Sequence, residues 1–172
     1  GEPGAVVTLQ CGIDGEVGSL NGEHFVSYEP SVQSGRLYVT TVTGQHGITV
    51  VSSVSHLLVK GKIRDDRLRY GAKSLFREMD VEFDEEGRLI LESYAVLYSS
   101  NDVEEPGVAA TDLLGKLEKI GYEEALSAHR QIWDRMWADY DTAIEGDDLA
   151  QTLLRYNSYH NVIATPSHTD HL

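Results

Sequence analysis

Residues 36–59, RLYVTTVTGQHGITVVSSVSHLLV, decide how the first hundred residues fold. Two β-branched runs flank Gly44-Gln45-His46-Gly47, a connection with the composition of a hairpin loop. Along the first run Leu37, Val39 and Thr41 point one way, and Tyr38, Thr40 and Val42 point the other. Such a pair reads as two antiparallel strands.

Working outward, the pattern repeats on both sides. AVVTLQC (5–11) is a short β-branched run that gives way to Gly12, Asp14 and Gly15, residues with turn chemistry. In LFREMDVEFDEEGRLILESYAVLYSS (75–100), Leu75, Arg77, Met79, Val81 and Phe83 alternate with Phe76, Glu78, Asp80 and Glu82. That gives a mostly apolar inner face and a charged outer one. The turn at Asp84-Glu85-Glu86-Gly87 leads to a strand whose inner series is Leu89, Leu91, Ser93, Ala95 and Leu97. The charged segment 60–70 reads as a loop. Long antiparallel strands with one wet face predict a β-sandwich.

After Ser100 the period changes from two to between three and four. Residues 101–106 form a turn-rich break, and a helix is expected over 108–120, closed by Gly121. Tyr122, Ala125, Leu126, His129, Ile132, Trp133, Met136, Trp137 and Tyr140 then make one apolar stripe, with Glu123 and Glu124 in the first turn. A third helix starts at Asp148, where Asp148 and Gln151 have the spacing of a capping box. Leu149, Leu153, Tyr156, His160 and Ile163 form its expected buried face, and Pro166 ends it.

Acidic residues outnumber basic ones 28 to 14, for a formal charge of −14, and five of the basic residues are lysines. That charge repels phosphates, so nucleic acid and anionic membrane are not expected partners. No apolar run approaches the roughly 18 residues that span a bilayer. The N-terminus lacks the basic-then-apolar pattern of a signal peptide. A cytoplasmic location is expected over a secreted one. Cys11 is the single cysteine, which rules out an internal disulfide and reads as a small buried hydrophobe.

Candidate chemistry is sparse. His168, Asp170 and His171, with His160, are ligand-type residues, but they follow a proline and lack the i,i+4 spacing of helical metal-binding pairs. A polar loop is the simpler account, and no metal or organic cofactor is expected. His129 and His160 read as satisfied interface histidines. Asp139, Asp141, Glu145, Asp147 and Asp148 read as caps and solvated turn residues rather than paired acid and base groups. Trp133 and Trp137 could stack on sugars, although i,i+4 aromatics within an apolar stripe usually pack. There is no phosphate-binding glycine loop, GxSxG or CxxC.

One stretch carries a specific resemblance. His129, Trp133, Trp137 and Asp141, then Ile144-Glu145-Gly146-Asp147, then Gln151, Leu154-Arg155-Tyr156-Asn157 and Tyr159-His160 resemble glycoside hydrolase family 65. That is the family of maltose, trehalose, kojibiose and nigerose phosphorylases. There a linker helix with spaced tryptophans leads through an IEGD turn into the first helix of an (α/α)6 barrel. GIDGEV (12–17), His24 and TTVTGQHGITVVSS (40–53) are similar to later strands of the family's large N-terminal super-β-sandwich. The resemblance implies a β-sandwich portion over 1–100, a helical linker over 101–143, and the first helix and loop of a truncated barrel over 144–172.

It also implies an inverting mechanism. A glutamate protonates the glycosidic oxygen while inorganic phosphate, or water in the hydrolases, attacks from the opposite face. The general acid and the phosphate-binding residues belong to barrel segments beyond residue 172, so no catalytic residue carries over. The implied partners are the remainder of the same polypeptide, an α-glucosyl disaccharide and a second copy in a homodimer. Residues 167–172 would point to the barrel mouth, making His168, Asp170 and His171 candidate substrate-binding residues. The alternative is a free-standing β-sandwich module that binds carbohydrate or protein without chemistry. It predicts exposed aromatics on a sheet face, where Tyr38, Tyr94 and Tyr98 make no obvious platform.

Overall fold

A computed structural model describes residues 1–16 and 22–165. Two compact units divide it, Gly1–Lys119 and Ile120–Leu172. Among the described residues the first unit contains β1 (Val6–Asp14), β2 (Phe25–Gln33), β3 (Arg36–Thr43), β4 (Thr49–Lys60), β5 (Lys62–Tyr70), β6 (Ser74–Glu82) and β7 (Ile90–Ser99). The helix α1 (Pro106–Ile120) follows. The expected antiparallel β architecture is present, followed by helices.

The strands form two antiparallel sheets, ordered β1-β6-β5 and β2-β3-β4-β7. In the larger sheet the β3–β4 hairpin is central and buried on both faces. Leu37, Val39 and Val54 pack with Leu75 of the smaller sheet, and Ile13, Tyr28 and Val32 join this layer. On the opposite face Tyr38, Val51, Tyr94 and Val96 pack with Ala110 and Leu114 of α1. A strand pair covered on both sides needs apolar residues at alternate and adjacent positions alike, as its unbroken β-branched runs supply. The helix therefore makes a third layer on the two sheets.

Polar groups fasten that helix. The Arg36 guanidinium donates to both oxygens of Glu118, Nε at 3.0 Å and Nη2 at 2.5 Å, and the Ser55 hydroxyl also donates to Glu118. This pairing holds the Glu118 carboxyl below the usual carboxylate range. A second clamp joins the sheets. Arg77 pairs with Asp66 on β5 at 2.6 and 2.9 Å and donates to the His56 carbonyl on β4 at 3.2 Å.

Several expectations are corrected. The segment 62–70 is a strand, not a loop: β5 pairs with β6 from Lys62↔Glu82 to Tyr70↔Leu75. Every one of its residues is exposed, so burial leaves no alternation in the sequence. Its outer face instead carries Arg67 and Arg69 on Glu78 and Arg64 on Glu82. β1 runs on through Gly12 to Asp14; a Cβ at Gly12 would lie 2.2 Å from the Leu75 carbonyl oxygen, so close strand approach, not a turn, requires this glycine. β2 had no clear signal, because Glu29-Pro30-Ser31 resembles a loop, but an edge strand tolerates proline. In β7 the buried residues are Tyr94 and Val96, while Leu97 of the expected inner series is 65% exposed. The cover that decides this face is α1. Cys11 is only partly buried, with its thiol pKa pushed up chiefly by burial.

Two expected outcomes test this packing. Glu118→Ala leaves Arg36 partly buried without its carboxylate and should cost about 2 kcal/mol in urea unfolding, more than the ~0.5 kcal/mol of an exposed pair. His56 is 6% exposed, its Nδ1 has no hydrogen-bond partner, and burial first and Arg77 second lower its pKa. The unfolded chain therefore takes up the proton first. Stability is full above a pH of roughly 6.5 and falls as the pH drops below it, by up to about 1.4 kcal/mol per unit. Melting curves from pH 7.5 to 5.5 should show this slope in the wild type, and His56→Leu should reduce it.

Candidate functional site

The second unit holds the residues that carry the sequence resemblance. It comprises α2 (Tyr122–Tyr140) and α3 (Asp148–Ala164), joined by the turn 141–147. Glu123 and Glu124 occupy the first turn of α2, where negative charge suits the helix dipole.

Side chains of α3 hold the turn. The Gln151 amide donates to the Thr142 carbonyl at 3.1 Å and accepts from the Ile144 N–H at 2.6 Å. Arg155 grips Asp141 through both guanidinium arms, Nε at 2.9 Å and Nη2 at 2.5 Å, which lowers the Asp141 pKa. Gly146 takes the left-handed conformation, with φ 87°, that a side chain would strain. The N-cap is Asp147, which accepts from the Ala150 N–H at 2.9 Å; the expected capping box at Asp148 and Gln151 is displaced because Gln151 serves the turn instead.

Aromatic rings join the two helices. The Trp133 and Tyr159 rings lie 5.3 Å apart, Trp133 is 6.2 Å from both His129 and Trp137, and His160 meets Tyr156 at 4.3 Å and Tyr159 at 5.3 Å. The tryptophans thus serve packing within the unit. His129 and His160 engage rings as interface histidines do, although both are exposed.

The expected buried face of α3 is open. Leu149, Leu153, Tyr156, His160 and Ile163 are all exposed, Leu149 at 69%, and neither helix has a fully buried residue. The apolar periodicity is real, but within the second unit α2 leaves this face uncovered. The candidate substrate-binding residues His168, Asp170 and His171, and the helix stop at Pro166, lie outside the described residues.

Among the described residues no cluster of histidine, cysteine and carboxylate side chains could hold a metal ion, and no helix is long and apolar enough to cross a membrane. Asp139, Glu145 and Asp148 show no carboxylate pairing, while Asp141 and Asp147 are engaged in the turn and cap described above. What this chain presents is a braced helix–turn–helix with an exposed apolar α3 face, attached in sequence to a covered β-structure.

Comparison with known proteins identifies that combination. Residues 2–136 match the glycosyl hydrolase family 65 N-terminal domain, and the chain belongs to this family. It is 31% identical to a kojibiose phosphorylase of Halothermothrix orenii, over 94% of this chain and 22% of the relative. It is 33% identical to a 1,2-alpha-glucosylglycerol phosphorylase of Bacillus selenitireducens, over 93% of this chain and 20% of that protein. A maltose phosphorylase of Bacillus subtilis is 25% identical over 90% of this chain. The chain spans about a fifth of the length of the curated relatives it matches.

Removing the cap tests the junction. Asp147→Ala should cost the helix about 1 kcal/mol, read as lost protection of the first α3 amides in hydrogen exchange, whereas Asp148→Ala should leave them protected.

Proposed function

We propose that this chain is a non-catalytic portion of a larger carbohydrate-active enzyme that cleaves α-linked glucose disaccharides by inverting phosphorolysis or hydrolysis. The observation that carries the reading is the apolar face of α3, fully formed and uncovered in a chain that spans about a fifth of its phosphorylase relatives. A helix with such a face needs further helices against it. In this reading residues 1–100 are a sandwich portion, 101–143 a linker, and 144–172 the first helix and loop of an (α/α)6 barrel.

The chemistry would then reside in the remainder of the polypeptide. A glutamate there protonates the glycosidic oxygen, and phosphate or water attacks the anomeric carbon from the opposite face. Phosphorolysis is favoured over hydrolysis by the names of the relatives, which makes inorganic phosphate a co-substrate and β-glucose 1-phosphate the product. The loop 167–172 would line the mouth of the site, with Asp170 and its flanking histidines facing substrate. The parent would be a homodimer. The alternative of a free-standing carbohydrate-binding module with an aromatic platform has less support, because Tyr38 and Tyr94 are buried under α1.

The test uses the full-length protein with α-linked glucose disaccharides, with and without phosphate. Phosphate-dependent release of β-glucose 1-phosphate, followed by NMR of the anomeric proton, is the expected result. Release of free glucose at an equal rate without phosphate would make the parent a hydrolase, and no cleavage of any such disaccharide would overturn the reading. Asp170→Ala in the same protein should raise KM for the disaccharide; unchanged kinetics would remove the loop from the site. Residues 1–172 expressed alone should self-associate through α3, and Leu149→Lys with Leu153→Lys should shift them to the monomer in sedimentation.

A further inference from the structure

A cleft in the first unit lies where α1 stops covering the larger sheet. The helix packs over Tyr38, Val51, Tyr94 and Val96, which leaves the same face of the edge strand β2 open beside it. The register places Ser31 opposite Tyr38 and Gln33 opposite Arg36, so Ser31 and Gln33 form one wall. Thr40 on β3 and Thr111 and Asp112 on α1 add to the polar lining, and the cleft measures about 410 Å³. Sites that take small ligands measure roughly 300–1,000 Å³.

The chemistry of the lining is selective. Its floor is narrow and apolar, made by the edges of Val51 and Tyr38, each 4% exposed, and the Tyr38 hydroxyl accepts from Thr111 at 3.2 Å. Around it stand the hydroxyls of Ser31 and Thr40, the carboxamide of Gln33 and the carboxylate of Asp112, none of which has a hydrogen-bond partner among the described residues, whereas the Thr111 hydroxyl is engaged with Tyr38 and the Gly107 carbonyl. Val108, 55% exposed, sits at the rim.

An anion is a poor occupant. The lining contains no cation, Asp112 contributes a negative charge, and neighbouring Arg36 is committed to Glu118. A small cation would meet a single charged ligand, Asp112, and among the described residues no group of three histidine, cysteine or carboxylate side chains could hold a metal ion. A molecule carrying many neutral hydroxyls on a carbon ring satisfies donors, acceptors and apolar floor together.

We infer that this cleft between β2 and α1 binds a neutral hexose unit, held by Ser31, Gln33, Thr40 and Asp112 over the floor of Tyr38 and Val51. The assignment goes beyond the proposed activity and does not rest on it. The unit could be a free sugar or the end of a longer glycan, and the recognition chemistry is shared. Binding is by hydrogen bonds with weak apolar contact, so affinity in the millimolar range is expected.

The test uses the full-length protein with ¹³C-labelled valine methyl groups, titrated with D-glucose, a sulfur-linked glucose disaccharide that resists cleavage, and a soluble α-glucan. The Val108 and Val51 methyl resonances should move saturably, with half-saturation of roughly 1–10 mM for the preferred sugar. Gln33→Ala and Asp112→Ala, both at solvent-exposed positions, should each weaken this response about fivefold while melting temperature is retained. A stronger response to the glucan than to the small sugars assigns the cleft to glycan ends, and the reverse order assigns it to free sugars. Methyl signals unmoved at about 100 mM of every sugar, or a response undiminished in both variants, would overturn the inference. Disaccharide cleavage, assayed separately, reports on the proposed activity, so failure of one does not imply failure of the other.

Discussion

The β3–β4 hairpin is buried on both faces, and the rest of the first unit follows from covering it. Its central residues leave no side that can meet water. Leu37, Val39 and Val54 need the smaller sheet, and Tyr38 and Val51 need α1. Neither cover suffices alone, because removing either would expose a contiguous apolar layer. The helix therefore belongs to the β-structure energetically, although it follows strands β1 to β7 in the chain.

Polar clamps then fix how the layers sit. Arg36 and Glu118 join the start of β3 to the end of α1, and Ser55 adds a bond from the neighbouring strand. Asp66, Arg77 and the His56 carbonyl tie three strands across the gap between the sheets. Apolar packing is largely non-directional, so the register of helix on sheet and sheet on sheet depends on contacts of this kind. His56 lies beside one such contact with an unpaired ring nitrogen, which makes the same region both ordered and acid-sensitive.

How much of this was legible depended on where burial writes a pattern. The β3–β4 hairpin, β6 and all three helices could be read because apolar residues recur at the spacing of the element. β5 could not, since each residue from Lys62 to Tyr70 is exposed and strand pairing with surface ion pairs holds it in place. β2 was hidden by Pro30, and β7 offered apolar residues on both faces, so only the position of α1 decides between Tyr94-Val96 and Leu91-Leu97. The junction was legible in its types but not in its roles: Gln151 looked like a cap and is a turn brace. Of the candidate site, His168, Asp170 and His171 lie outside the described residues, and the sequence offered no pairing of acid and base groups from which a catalytic centre could be read. The cleft beside β2 escaped because a hydroxyl and an amide on an edge strand, with one more hydroxyl on its neighbour, carry no signal until a helix end stands next to them.

The exposure of β5 has an evolutionary consequence. A strand with no buried side chain is held by its backbone bonds to β6 and by arginine–carboxylate pairs on the surface. Substitutions there escape the volume constraints that govern the core, so apart from Asp66, which holds Arg77 in the inter-sheet clamp, this edge can change charge, or adapt to saltier or drier surroundings, while the interior sequence stays fixed. In a chain with twice as many acidic as basic residues, it is a place where surface composition can drift without reopening the question of how the protein folds.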